Sequence, residues 1–305
     1  MSTTRIITRS VVFTFLLATG GFLTQPAVAS IETFPAGDHP FGLASDGTNI
    51  WAADFDGNTV TKLRASDGTL LGTFPAGDAP TYAAYDGANI WVTDYYGDTV
   101  TKLRASDGAL LGTFPVGSSP IGILFDGQNI WVANSADDSV SKLLASDGTV
   151  LGTFPVGGHP YGLAFDGSNI WISSNWENTL IKLRARDGAR HGRIAVGNLP
   201  ANLLFDGSKI WVANFDDNTV SRIEPKTGEI ELTTDVGTNP IDLAFDGQHV
   251  WVTDFGSSDV GKLRRATGSV QKTYLTGNSP VGVVFDGTSI WIANSGSDTV
   301  TKITP

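Results

Sequence analysis

His159, Glu177, His39 and Asp242 are the side chains best suited to acid–base work or metal ligation, and they stand far apart along the chain. Gathered at one mouth, they would supply a general base and the ligands of a hard cation, Ca²⁺ or Mg²⁺. A second set suits recognition instead. Asn175, Trp176 and Glu177 lie side by side in one polar stretch, His159 and Tyr161 flank a proline just upstream, and Tyr82, Asn202 and Asp242 stand two residues after equivalent prolines elsewhere. Aromatic faces with a few polar groups at a concave mouth fit a small molecule, a glycan or a protein segment. A third set, Asp54, Asp56 and Asn58 with its counterpart Asn214, Asp216 and Asn218, alternates oxygen donors in the manner Ca²⁺ favours. Its glycine is misplaced for a standard calcium loop and no bidentate Glu follows, so plain turn chemistry is the competing explanation. There is no Ser-His-Asp motif, phosphate loop or His-rich metal pattern; His191 and His249 fall on an outer strand and a turn.

What positions these residues is a repeat. Trp51, Trp91, Trp131, Trp171, Trp211, Trp251 and Trp291 keep an unbroken spacing of 40, each with a Pro eleven residues before and an Asp-Gly pair five and four before. A fixed period of this size marks an architecture in which one supersecondary unit buries its faces only against its neighbours. Each unit reads as four short strands. YGLAF, NIWIS, TLIKLRA and the region ending in FPVG are separated by an Asp-Gly turn, a polar loop and a second Asp-Gly or Thr-Gly turn. Asp-Gly between apolar runs is a strong hairpin signal because Gly takes the positive φ that a tight turn requires.

The expected fold is therefore all-β, a seven-bladed β-propeller with four antiparallel strands per blade. The chain stops at Pro305 after the third strand of its seventh unit, while Ile31 to Gly37 (IETFPAG) matches a fourth strand and precedes the first complete unit. Pairing the two closes the ring and removes an open inner edge.

Met1 to Ala29 reads as a secretory signal peptide: Arg5 and Arg9, an apolar centre from Val11 to Leu23, then Ala27-Val28-Ala29. Residues 30–305 form the propeller, secreted or periplasmic, with no membrane span after cleavage. No Cys is present, so packing alone must stabilise it. Removing two arginines from 20 basic residues leaves 18 against 31 acidic ones, a net charge of −13. Nucleic acid and anionic membranes are disfavoured as partners. Lys62, Lys102, Lys142, Lys182, Arg222, Lys262 and Lys302 recur at one point of the third strand and read as stems on the outer half of each blade with their charges in water.

Function should lie where copies depart from the frame. The loop after each second strand reads FDGN, YYGD, SADD, NWEN, FDDN, FGSS and SGSD, and the fourth holds the one Trp off the beat. The pattern PxGLAFDGxNIWVANxxxNTVTKL, spanning the mature chain, resembles the secreted bacterial YVTN-type β-propeller repeat proteins, neighbours of the NHL and streptogramin-lyase propellers. Likeness to the lyases implies a metal-dependent site with a catalytic His and nearby acids at the channel mouth. The corresponding positions here are Asp54, Asp94, Asn134, Ser174, Asn214, Asp254 and Asn294; none is Glu and no His follows. Two readings stand: a monomeric, non-catalytic binding or interaction module contacting a protein, glycan or small molecule through blade four and the channel mouth, or a metal-dependent lyase or lactonase.

Overall fold

The computed structural model describes residues 29–305; the expected signal segment lies outside them, apart from Ala29. Seven four-stranded antiparallel sheets form a closed ring, each ordered from the channel outward as in Pro40–Ser45, Asn49–Asp54, Thr59–Arg64 and Leu70–Pro75. The closure is as the sequence predicts. Ser30–Pro35 pairs antiparallel with Thr299–Thr304, Ser30 opposite Thr304 and Pro35 opposite Thr299, and completes blade seven. No helix among the described residues is long and apolar enough to cross a membrane.

The Trp and the Asp five residues before it form one device. Trp51 is fully buried and packs against Ile90, Val92 and Leu103 of the next blade. Its indole N–H, shut off from water, donates to Asp46 at 2.9 Å, while the other Asp46 oxygen accepts the Thr48 and Asn49 backbone N–H groups. The bond recurs in all seven blades, down to 2.7 Å between Trp131 and Asp126. Each hairpin Asp thus caps its own turn and satisfies the blade's largest buried donor.

The recurring lysines correct the sequence expectation. Lys62, Lys102, Lys142 and Lys302 are only 5–7% exposed, and their charges are not in water. Lys62 Nζ lies 4.6 Å over the Trp51 ring and donates to the Ala105 carbonyl of the next blade at 2.8 Å. Lys302 does the same to Ala65 and Ser66, tying blade seven to blade one. A buried ammonium must be paid in hydrogen bonds, and the neighbouring blade's turn carbonyls with the indole face supply them.

Candidate functional site

Two turns build the rim that carries the loops. The residue before each inner-strand proline is left-handed (His39 φ 55°, His159 φ 52°), as is the last residue of each variable loop (Asn58, Asp98, Asp138, Asn178). Asn and Asp tolerate this backbone at small cost, which explains their recurrence there. Their side chains then lock blades together: Asp138 accepts from the His159 N–H at 2.8 Å, and Asp298 from the His39 N–H at 3.0 Å across the ring closure.

Blade four's departures do gather. His159 stacks on Trp176 with ring centroids 3.5 Å apart, and Trp176 remains 69% exposed. The His159 ring also meets Ser135 Oγ of blade three at 3.3 Å. Glu177 pairs with Arg193 of its own outer strand at 2.9 Å and accepts from Ser174 Oγ at 3.3 Å. Asn175 Nδ2 reaches the Pro200 carbonyl at 3.4 Å. His39 forms a separate cluster three blades away, its Nδ1 3.0 Å from Asp56 Oδ2.

Tyr82, Tyr161, Asn202 and Asp242 also come together, though in the channel and not on the rim. Four inner strands carry Gly two residues after the proline because neighbouring inner strands press close; a Cβ at Gly42 would lie 2.6 Å from the Thr81 carbonyl. The three copies with larger residues fill the middle. Tyr82 and Tyr161 hydroxyls meet at 3.5 Å, and Asn202 Nδ2 donates to Asp242 Oδ1 at 2.9 Å. Asp242 further accepts from the Leu243 and Val283 N–H groups. Burial outweighs these bonds and raises its carboxyl to about 7. Burial likewise pushes both tyrosine hydroxyls well above their ordinary range.

The alternating oxygens of the calcium-like stretches do not converge. Asp54 and Asn214 are fully buried. Asp54 Oδ2 accepts from the Thr59 and Thr61 hydroxyls at 2.8 Å, whereas Asn214 donates to Thr219 and Ser221 and accepts from Gly197. Asn58 and Asn218 accept from the N–H of Ala79 and Asn239, and Asp56 faces His39. Asp216 is exposed on the rim. Such an arrangement suits interstrand bonding and does not fit a Ca²⁺ or Mg²⁺ shell. Among the described residues no three His, Asp or Glu side chains are placed to hold a metal ion together.

The sequence reading missed an aromatic series on blades one and two. Tyr96, 65% exposed, meets Phe55 with centroids 5.9 Å apart; Phe55 meets Phe41 at 6.0 Å, Phe41 meets Tyr82 at 5.4 Å, and Tyr82 meets Tyr161 at 6.2 Å. Tyr95 and His39 flank Phe55. Rings thus run without a break from the rim into the channel. The signal was present in FDGN and YYGD, whose aromatics follow the buried Asp directly. Five clefts of 490 to 610 Å³ open between successive blades on the opposite rim and follow the repeat.

Residues 43–274, well over half of the chain, match the family described as outer membrane protein assembly factor BamB. The chain belongs to this family. No curated protein matches the sequence. Among solved structures, virginiamycin B lyase from Staphylococcus aureus superposes with a TM-score of 0.79 at 18% identity, over 91% of this chain and 100% of that one. A streptogramin B lyase gives 0.75 at 22% identity, over 90% and 97%. Hydrazine synthase of Kuenenia stuttgartiensis gives 0.78 at 18%, over 93% and 99%. The expected distant similarity to streptogramin-lyase propellers is thus found in the fold. At these identities it is the ring that is shared, and the ring hosts unrelated chemistries.

Proposed function

We propose that this chain is a secreted or periplasmic, monomeric binding module that takes its ligand on the channel mouth without chemical turnover. The observation that carries this is the unbroken aromatic series from Tyr96 to Tyr161, with a second exposed station at Trp176 and His159. Rings held on a rigid, closed scaffold present contact area with little ordering cost on binding. The rival metal-dependent lyase or lactonase needs His159, Glu177, His39 and Asp242 to act at one centre. His159 is stacked on Trp176, Glu177 is paired with Arg193, His39 faces Asp56, and Asp242 is clasped in the channel by Asn202.

The test uses the chain from Ser30 to Pro305. A panel of glycans, peptides and small aromatic molecules is titrated while Trp176 emission is followed, alongside product analysis with lactones and cyclic depsipeptides in Ca²⁺ or Mg²⁺. Saturable binding that Tyr96→Ala weakens, with no product formed, is expected. Turnover that EDTA abolishes would sink the reading.

A further inference from the structure

We propose that the arc of rim from blade one to blade four docks a basic peptide segment of a protein partner. The inference rests on the mouth being a binding surface and names the chemistry it selects. Its primary feature is exposed aromatic area at both ends of the arc: Tyr96, backed by the half-buried Tyr95 and Phe55, on blades one and two, and Trp176 on blade four. Two such stations on one rigid rim are separated by the blade-three loop Ser135 to Asp138, so a ligand touching both must be extended and chain-like.

Charge decides what kind of chain. Along the arc the loops present Asp56, which faces His39, and Asp98, Asp137 and Asp138 at the surface, and none of the loops from residue 37 to 39, 54 to 58, 77 to 79, 94 to 98, 117 to 119, 134 to 138, 157 to 159 or 174 to 178 contains Lys or Arg. Two cations of blade four's outer strand approach the arc: Arg193 is committed to Glu177, and Arg190 Nη1 lies 3.5 Å from the Val156 carbonyl. Asp98, Asp137 and Asp138 each accept one backbone N–H, which fixes the carboxylates while leaving lone pairs toward solvent. The repeated Lys62, Lys102 and Lys142 are buried between blades, their ammonium groups bonded to turn carbonyls away from this face. Aromatic faces beside fixed carboxylates favour ammonium and guanidinium groups, through cation–π attraction and charge pairing together. A neutral glycan would use the rings and leave the carboxylates unrewarded, and an anionic one would be repelled.

The structure also supplies the reporter. The seven Trp of the repeat are fully buried, so Trp176 alone among the described tryptophans is open to quenchers. Cs⁺ is expected to quench it more strongly than I⁻ at equal ionic strength. The binding probe is a labelled peptide of alternating Lys and Tyr separated by Gly, read by fluorescence anisotropy, with two comparators: the same peptide with Gln for Lys, and a neutral chito-oligosaccharide. The Lys peptide should bind, and its affinity should fall roughly tenfold between about 0.05 M and 0.5 M salt as the charges are screened. Tyr96→Ala and Trp176→Ala should each weaken it by about two- to fivefold, the range of an exposed cation–π contact, with Tm unchanged.

Equal binding of the Gln peptide, or binding of the oligosaccharide in place of the Lys peptide, overturns the basic-peptide inference while leaving the mouth a binding surface. Lys-peptide binding that survives the double variant Tyr96→Ala/Trp176→Ala reports diffuse charge attraction and overturns it too. If no probe binds and Trp176 emission never changes, both the inference and the binding-module reading fall.

Discussion

Replacing Asp254 by Asn should stabilise the protein, and by an amount that grows with pH. In blades three, five and seven the position is Asn, whose amide donates to two hydroxyls of the third strand while its oxygen accepts from a glycine N–H; Asn134 serves Ser139, Ser141 and Gly117 in this way. In blades one and two it is Asp, and the paired threonines donate to it instead. Blade six breaks the arrangement. Asp259 and Gly261 replace the hydroxyl residues, so Asp254, 1% exposed, faces a second carboxylate, and an oxygen of each is left without a partner.

Burial first, and then the hydrogen bond with Asp259 and its charge, raise the Asp254 carboxyl, so the pair holds a proton the unfolded chain would have released. The folded pKa lies above the unfolded one. The pair's stability is therefore fully present below the unfolded value and lost as pH rises through the folded one. Asn at 254 removes the linkage and provides an amide donor for Asp259. An unsatisfied buried polar group costs about 1–3 kcal/mol, which in a domain of this size is about 2–4 °C in Tm per kcal/mol. Urea and thermal unfolding of Asp254→Asn and wild type, run near pH 4 and again near pH 9, should show little difference in acid and the full gain in base. A destabilised variant, or a gain independent of pH, would refute the argument.

Asp166→Ala should cost about 2–4 kcal/mol in urea unfolding, since it strands the buried Trp171 N–H and two turn N–H groups. The hairpin aspartates are held below their ordinary range, against burial, by bonds from Trp, Asn and backbone donors, so their contribution is lost as pH falls below about 4; a steep acid transition in Tm would report it. Lys302→Met should lower Tm more than Lys262→Met. Both ammonium groups sit over a Trp ring, but Lys302 also bonds Ala65 and Ser66 across the closure. Asp242→Asn should flatten the fall in stability expected for wild type as pH rises through about 7, because a raised carboxyl disfavours the folded state once it ionises; a Tm profile from pH 5 to 9 checks it.

The Trp period of 40, the Asp-Gly turns and the orphan strand Ile31 to Gly37 determined seven blades, their strands and the closure without any coordinates. The physical reason is that a blade's contacts are local or lie one period away, so the repeat itself specifies them. Blade four's cluster was legible for the same reason: His159 and Trp176 are neighbours in one blade's two rim turns. Tertiary structure alone decided where side chains from different blades point. A register shift between Pro40 and Leu43, repeated in the other inner strands, turns Tyr82, Asn202 and Asp242 into the channel, where residues from blades two, four, five and six meet. The lysines read as solvated because their spacing says nothing of the carbonyls 43 residues on that receive them. The Tyr96 to Tyr161 series crosses three blades, and Asp254 opposite Asp259 depends on strand pairing. A repeat fixes the frame through its regularity; which side chains meet where the copies depart from that frame is set by packing.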